Sequence, residues 1–380
     1  MALLYKRRWR LKGVHSDSVL ALSFNKSGKY LASASLDSRL CVWPWSSSKQ
    51  EGPKFTIRGA AGFISITWVD EHTLLAGMED GGIIVARFNK TLLVVTGFDL
   101  HRSPVECLDA KGSRIVTGAH SDVCVWDLVS VGNVFQRCTF LRRLDSPPVS
   151  GPNQHTPVVA IAVCWVPSFG ANALLTSYLG HGIMIWDAVS GGALKALPMV
   201  IFSGCASLSR DERRLAVSNF TTGFDIYDTN LMTPTQKIVH DDVLMPSPPR
   251  TCLPVAFIHD GMALVGVTPS GTVGIWDWQT EQPLHTLPHE GKPPILALAA
   301  HNLENDDFVI ATGTGALGDG TYIQIWQTQP TAHAELPTSA PATPTRRFPS
   351  VIHYVVVPIL LILSVILLDP RTIIFYLFAT

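Results

Sequence analysis

Three side chains near the N-terminus, His15, Ser33 and Asp37, have the residue types of a hydrolase triad. Such a triad works only when the serine is exposed beside donors that receive a developing oxyanion. A second candidate is GTGALG at 313–318. It matches the glycine pattern that presents a helix N-terminus to a pyrophosphate. A strand-like stretch, TYIQIW, follows it in place of a helix, so these glycines read as a long hairpin turn and no cofactor is expected. Thirteen histidines and seven cysteines raise the question of a metal. The cysteines are dispersed with no C-x-x-C pair, while His101, His155, His240 and His289 recur near the starts of similar stretches, so no metal is expected. The last candidate is basic: Lys6, Arg7, Arg8, Arg10 and Lys12 within one short segment. It is either the solvated face of a strand or a patch that touches an anionic lipid surface.

What these groups can do depends on the elements that hold them. His15 to Trp43, HSDSVLALSFNKSGKYLASASLDSRLCVW, divides into SVLALSF, YLASAS and LCVW, separated by the turn clusters NKSGK and LDSR. This is the pattern of three β-strands with tight turns. The stretch resembles one blade of a WD-repeat propeller, with a His near the start, Ser33 in the middle strand, Asp37 in the turn and Trp43 closing. That resemblance implies a structural hydrogen-bonded ladder through His15, Ser33, Asp37 and Trp43, in which the triad types are saturated by one another and no residue is catalytic. One blade cannot bury its faces alone, so repetition is the test. Third-strand ends recur at Trp43, Ala86, Trp126, Trp186, Tyr227, Trp276 and Trp326. The expected fold is all-β, a seven-bladed WD-repeat propeller over 1–327. The ladder residues are all present only in the first repeat, and an insertion is expected over about Gly132 to Gln154. The last repeat, about Ile295 to Trp326, has three strands of its own. The stretch LLYKRRWRLK at 3–12 is expected to supply the fourth and so close the ring.

Beyond the repeats the composition changes. Residues 328–350 are rich in Pro, Ala and Thr and read as a disordered linker. Residues 351–368, VIHYVVVPILLILSVILL, carry no Asp, Glu, Lys or Arg, and their helical length of about 27 Å suits a thin bilayer. A transmembrane helix is expected there, followed by a short tail at 369–380, in the manner of tail-anchored proteins. The alternative is that residues 373–379 also enter the lipid. Arg346 and Arg347 outweigh Arg371, which leaves the propeller on the cytosolic side, with the endoplasmic reticulum as the expected membrane. A net charge of −1 gives no electrostatic case for nucleic acid. The start, MALLYKRRWR, has charges where a secretory signal needs an apolar run. The cysteines read as reduced core residues.

The expected function is a non-enzymatic, membrane-tethered scaffold. WD-repeat propellers bind other proteins through their loops, and Leu144–His155, Asp241–Arg250 and His301–Asp307 are the candidate loops, with Asp241, Asp242 and Arg250 as candidate contacts. The alternative is a guanine-nucleotide exchange factor for a small GTPase. A propeller followed by one C-terminal span resembles, in architecture only, the exchange factor of the endoplasmic reticulum that starts COPII coat assembly.

Overall fold

The structure, a computed structural model, describes residues 4–45, 50–90, 92–149, 154–197, 203–219, 223–231, 233–239, 253–268, 270–291, 293–303, 307–329 and 372–378. An N-terminal strand, β1 (Tyr5–Lys12), precedes blade one, which is β2 (Val19–Phe24), β3 (Tyr30–Ser35), β4 (Arg39–Pro44) and β5 (Phe55–Arg58). Blade two is β6 (Phe63–Trp68), β7 (Thr73–Met78), β8 (Gly82–Phe88) and β9 (Leu92–Asp99). Blade three is β10 (Cys107–Lys111), β11 (Arg114–Ala119), β12 (Asp122–Val131) and β13 (Val134–Arg143). Blade four is β14 (Ala160–Trp165), β15 (Ala173–Tyr178), β16 (Gly182–Asp187) and β17 (Ala193–Leu197). Blade five is β18 (Ser203–Leu208), β19 (Arg214–Asn219), β20 (Gly223–Asp228) and β21 (Thr233–Val239). Blade six is β22 (Val255–Ile258), β23 (Ala263–Val267), β24 (Val273–Asp277) and β25 (Gln282–Leu287). Blade seven is β26 (Ile295–Asn302), β27 (Phe308–Thr314) and β28 (Tyr322–Thr328), and a C-terminal strand, β29 (Thr372–Phe378), ends the described chain. All seven expected third-strand ends, from Trp43 to Trp326, lie on the third strand of their blade.

Each sheet is antiparallel, and its middle strands are covered on both faces by neighbouring blades. That is why β7, TLLAGM, is buried at all six positions while the outer strand of blade four, ALKAL, has no buried residue. The core therefore lies between blades. Ala32, Leu40 and Val42 of blade one meet Phe63, Leu74 and Ile84 of blade two in one apolar cluster.

The ring closes as the sequence predicts. β1 pairs antiparallel with β28, Tyr5 opposite Thr328 and Lys12 opposite Tyr322, with a bulge at Arg8. The sheet order is β1-β28-β27-β26. Tyr5 reaches into blade six, where its hydroxyl shares a 2.8 Å hydrogen bond with His259 Nε2. Burial pushes the Tyr5 phenol well up and lowers His259 to about 4, the latter opposed by nearby Asp260.

At one end of the ring, first-turn residues staple successive blades. Asn25 donates to Glu71 at 2.7 Å, Arg114 to Asn172 at 2.8 Å, and Arg210 and Asn302 both to Asp260 at 2.9 and 2.6 Å. Half-buried Asp109 joins three blades from within. Its carboxylate accepts the Trp165 N–H at 2.9 Å, its neighbour Ala110 N–H at 2.8 Å and the Thr67 hydroxyl at 3.5 Å. Burial still raises its carboxyl above the usual range, against the pull of those amides.

Expectations for the insertion, the tail and the linker need correcting, and the hairpin reading of 313–318 holds. The first part of the expected insertion at Gly132–Gln154 is the outer strand of blade three: β12 and β13 are ten residues each and pair across a two-residue turn at Gly132 and Asn133. Residues read as a short tail contain β29, which pairs antiparallel with β9, Thr372 opposite Phe98 and Phe378 opposite Leu92. Blade two is thus a five-stranded sheet, β29-β9-β8-β7-β6. The glycines of 313–318 close the hairpin between β27 and β28, with one 3-10 turn at Gly318–Gly320 and no helix to face a pyrophosphate. The expected linker 328–350 begins too early, since Thr328 is the last residue of β28; its remainder from 330 and the apolar run 351–368 lie outside the described residues. Among the described residues no helix is long and apolar enough to cross a membrane.

Candidate functional site

The triad types form a closed ladder. The Trp43 indole N–H donates to Ser33 Oγ at 2.9 Å, His15 Nε2 meets the same oxygen at 2.8 Å, and His15 Nδ1 lies 3.3 Å from Asp37 Oδ1. Asp37 also accepts the N–H groups of Ser16 at 2.8 Å and Arg39 at 3.0 Å. Burial lowers the His15 pKa, partly offset by Asp37. For Asp37 burial acts upward, yet the Ser16 amide, the His15 ring and the Arg39 amide outweigh it and hold the carboxyl below its ordinary value. Ser33 is wholly buried, and its oxygen is engaged by both rings. It lacks the exposure that a nucleophile needs.

Sequence reasoning placed the ladder in blade one alone, and here it missed residues. In blade three Thr117 Oγ1 accepts the Trp126 indole N–H at 2.8 Å and meets His101 Nε2 at 2.7 Å. In blade seven His289 lies 3.3 Å from Thr312 Oγ1 and 3.4 Å from the Tyr322 hydroxyl. In blade four Tyr178 packs edge-to-face on Trp186, 6.5 Å between ring centroids, and Thr176 stands at the matching place on β15, opposite Met184. The available signal was a hydroxyl in mid second strand, with threonine standing for serine. In blade two the matching position is Ala76, which pairs with Ile84 as Ser33 pairs with Cys41. In blade six it is Gly266, where a Cβ would run into the Phe224 ring from blade five. Apolar packing replaces the polar ladder in those blades.

The sequence also holds an H-x₃-H spacing, His285 and His289, beside the recurring histidines. The strand separates them: His285 lies on β25 opposite Ile275, and His289 turns into the blade-seven ladder. Among the described residues no group of three His, Cys, Asp or Glu is assembled. Burial raises the Cys41 thiol to about 12 and Cys124 to about 11, as inert core thiols require.

The N-terminal basic cluster is partly engaged. Arg7 and Arg10 both reach Glu290, at 2.6 and 2.9 Å, and they hold its carboxyl below the usual range. Arg10 and Lys12 lie over the Tyr322 ring, 4.5 and 5.9 Å from its centroid, and Arg8 lies 5.1 Å from that of Trp9. Lys6, Arg7, Arg8 and Lys12 are exposed along β1. Of the candidate loop contacts, Asp241, Asp242 and Arg250 lie outside the described residues. In the loop beginning at Leu144, Leu144 is buried and its N–H bonds to Val123.

The residue-level reading did not single out one further concavity. A cleft of about 720 Å³ opens between blades two and three, on the end of the ring opposite the staples. Its walls include Trp126, His101 and Phe140, the last of these 53% exposed, with the Trp126 and Phe140 rings edge-to-face at 5.3 Å. At its mouth Arg143 pairs with Asp122, while Asp99 and Arg102 are exposed and have no ion-pair partner among the described residues. A concavity with an aromatic wall and a few free charges is suited to holding a side chain of another protein in a fixed orientation.

Seven antiparallel sheets in a ring, six of four strands and one of five, with His–Ser/Thr–Trp ladders in blades one and three, define a seven-bladed β-propeller. Residues 9–44 match the family profile described as WD domain, G-beta repeat. The chain is also 31% identical over 125 residues to the "WD repeat-containing protein 26 homolog" of Arabidopsis thaliana. That stretch covers 30% of this chain and spans 20% of the relative.

Proposed function

We propose that this chain is a protein-interaction scaffold that works without catalysis. The observation that carries the reading is the cleft between blades two and three, where an aromatic wall is left open while the polar groups of the ladders are consumed internally. Ladders and staples make the ring a rigid support, so specificity lies in what the cleft and the loops present. The relative's printed description, a WD-repeat protein, fits this reading and adds no partner.

The test is proximity labelling in cells with the full chain, comparing the parent with Phe140→Asp and Arg102→Asp, and with Leu231→Asp as an exposed control outside the cleft. The expected result is a set of neighbours lost with the cleft substitutions and retained in the control. Identical profiles for all four proteins would overturn the assignment of the cleft. The finer reading is that 351–368 tethers the propeller to the cytosolic face of the endoplasmic reticulum, supported by the length and apolar character of that run. Accelerated nucleotide release from a small GTPase by the full chain would replace the scaffold with the exchange-factor reading.

A further inference from the structure

Outer strands of a propeller blade have one row of unpaired N–H and C=O groups, an open template for another strand. Six of the seven blades here guard that edge. Blade one has a four-residue outer strand ending in Arg58. Blade three carries Arg137, Arg142 and Arg143, and blade four has Lys195. Blade five has Pro234 and Lys237, blade six Pro283, and blade seven the five basic residues of β1. Charge, proline and brevity are the usual means of keeping a sheet edge from pairing. Blade two has none of them. β9, LLVVTGFD, is eight residues long with no Lys, Arg or Pro, and its one charge, Asp99, comes last. Leu93 and Val95 are fixed in the cluster shared with blade one, and Phe98 in the cluster shared with blade three, so the strand is held in place from both faces.

The edge that lacks protection is the one that carries a fifth strand. β29, TIIFYLF, pairs with it over seven consecutive positions without a shift of register.

We infer that the outer edge of blade two is a docking site for an extended, uncharged apolar strand, and that the chain's own Thr372–Phe378 occupies it in cis as a displaceable cap. Main-chain hydrogen bonds supply the attachment, and the lack of charge on both strands sets the preference. This inference is independent of the cleft, which shares only Asp99, beyond the positions that pair with β29, with the strand.

The test uses the full chain without membranes. Cysteines placed at opposed positions, Val94→Cys with Tyr376→Cys, are expected to crosslink within one molecule, because directly opposed residues bring their Cβ atoms to about 4.5–5.5 Å. Amide exchange at Leu92–Asp99 is then compared between the parent and Ile374→Asp/Tyr376→Asp. The expected result is exchange faster by about tenfold or more on β9 alone, with the other outer strands unchanged. A lysine-flanked peptide copy of Thr372–Phe378 should restore protection in trans, and Leu92→Lys should abolish that rescue. Unchanged β9 exchange in the charged-tail variant, or no crosslink at the Val94–Tyr376 pair, overturns the inference. Neither outcome bears on the labelling lost through Phe140→Asp.

Discussion

Ser33 shows most directly how one atom can hold a blade together. Its oxygen is shared by His15 and Trp43, so Ser33→Ala leaves two buried donors or acceptors without a partner. At about 1–3 kcal/mol for each unsatisfied group, the expected loss is about 2–6 kcal/mol, read as a lower urea midpoint. Thr117→Val should behave similarly through His101 and Trp126. The control is Ala76, at the matching place in blade two: Ala76→Ser introduces a hydroxyl among apolar neighbours and should also destabilise, by about 1–3 kcal/mol. The buried histidines make a second prediction. His259 and His289 titrate near 4 when folded, because burial disfavours their charged form, with Arg10 adding to the effect at His289. Unfolded imidazoles take up a proton near 6.5, so the unfolded state binds more protons between about 6.5 and 4. The stability these two residues contribute is therefore full above about pH 6.5 and falls as pH drops toward 4. Thermal midpoints across pH 7 to 4 should show that decline, and Tyr5→Phe with His259→Phe should flatten it. At this scale the ladder of blade one was legible because all four of its residue types are present together. Those of blades three and seven were not, because Thr replaces Ser, a change that preserves the hydrogen-bonding chemistry and alters the pattern.

The strands themselves were easier to read than the residues between them. Alternating apolar positions and glycine-bearing turns repeat seven times, and closure by β1 followed from counting three strands in the last repeat. The outer strand of blade three was misread because Arg137, Arg142 and Arg143 give it a polar sequence, and an edge strand needs apolar residues on one face only. β29 was missed for a related reason: an apolar heptamer after a longer apolar run reads as lipid-facing, and only the unguarded edge of β9 distinguishes the two. The closing strand itself carries a prediction. Deleting residues 1–12 removes the partner of β28 and exposes the cavity left by Tyr5 and Leu11, both buried. Those two side chains alone are worth about 3–6 kcal/mol. At about 2–4 °C per kcal/mol, the apparent melting temperature should drop by about 10 °C or more. Glu290→Gln, by contrast, removes only exposed ion pairs to Arg7 and Arg10 and should change it little.

Across the whole molecule, the two ends of the chain compete for different surroundings. A helix through 351–368 would carry 372–378 across the bilayer, whereas β29 holds the same residues against the propeller. A single-pass anchor and a docked C-terminal strand therefore exclude each other in one molecule, and the tail must partition between lipid and blade edge. Of the three N-x-S/T sites, Asn25 and Asn219 are buried and hydrogen-bonded to Glu71 and Asp225, while Asn89 is exposed in a turn. Glycan on Asn89 is thus the more telling sign of an inverted topology. The expected outcome for chain synthesised with sealed microsomes is an alkaline-resistant protein, unglycosylated at Asn89, in which the Val94→Cys/Tyr376→Cys crosslink is lost. Synthesis without membranes should restore the crosslink. Release by alkaline carbonate together with a crosslink that persists in microsomes would mean that the blade edge alone holds the tail, and that the apolar run is not a span.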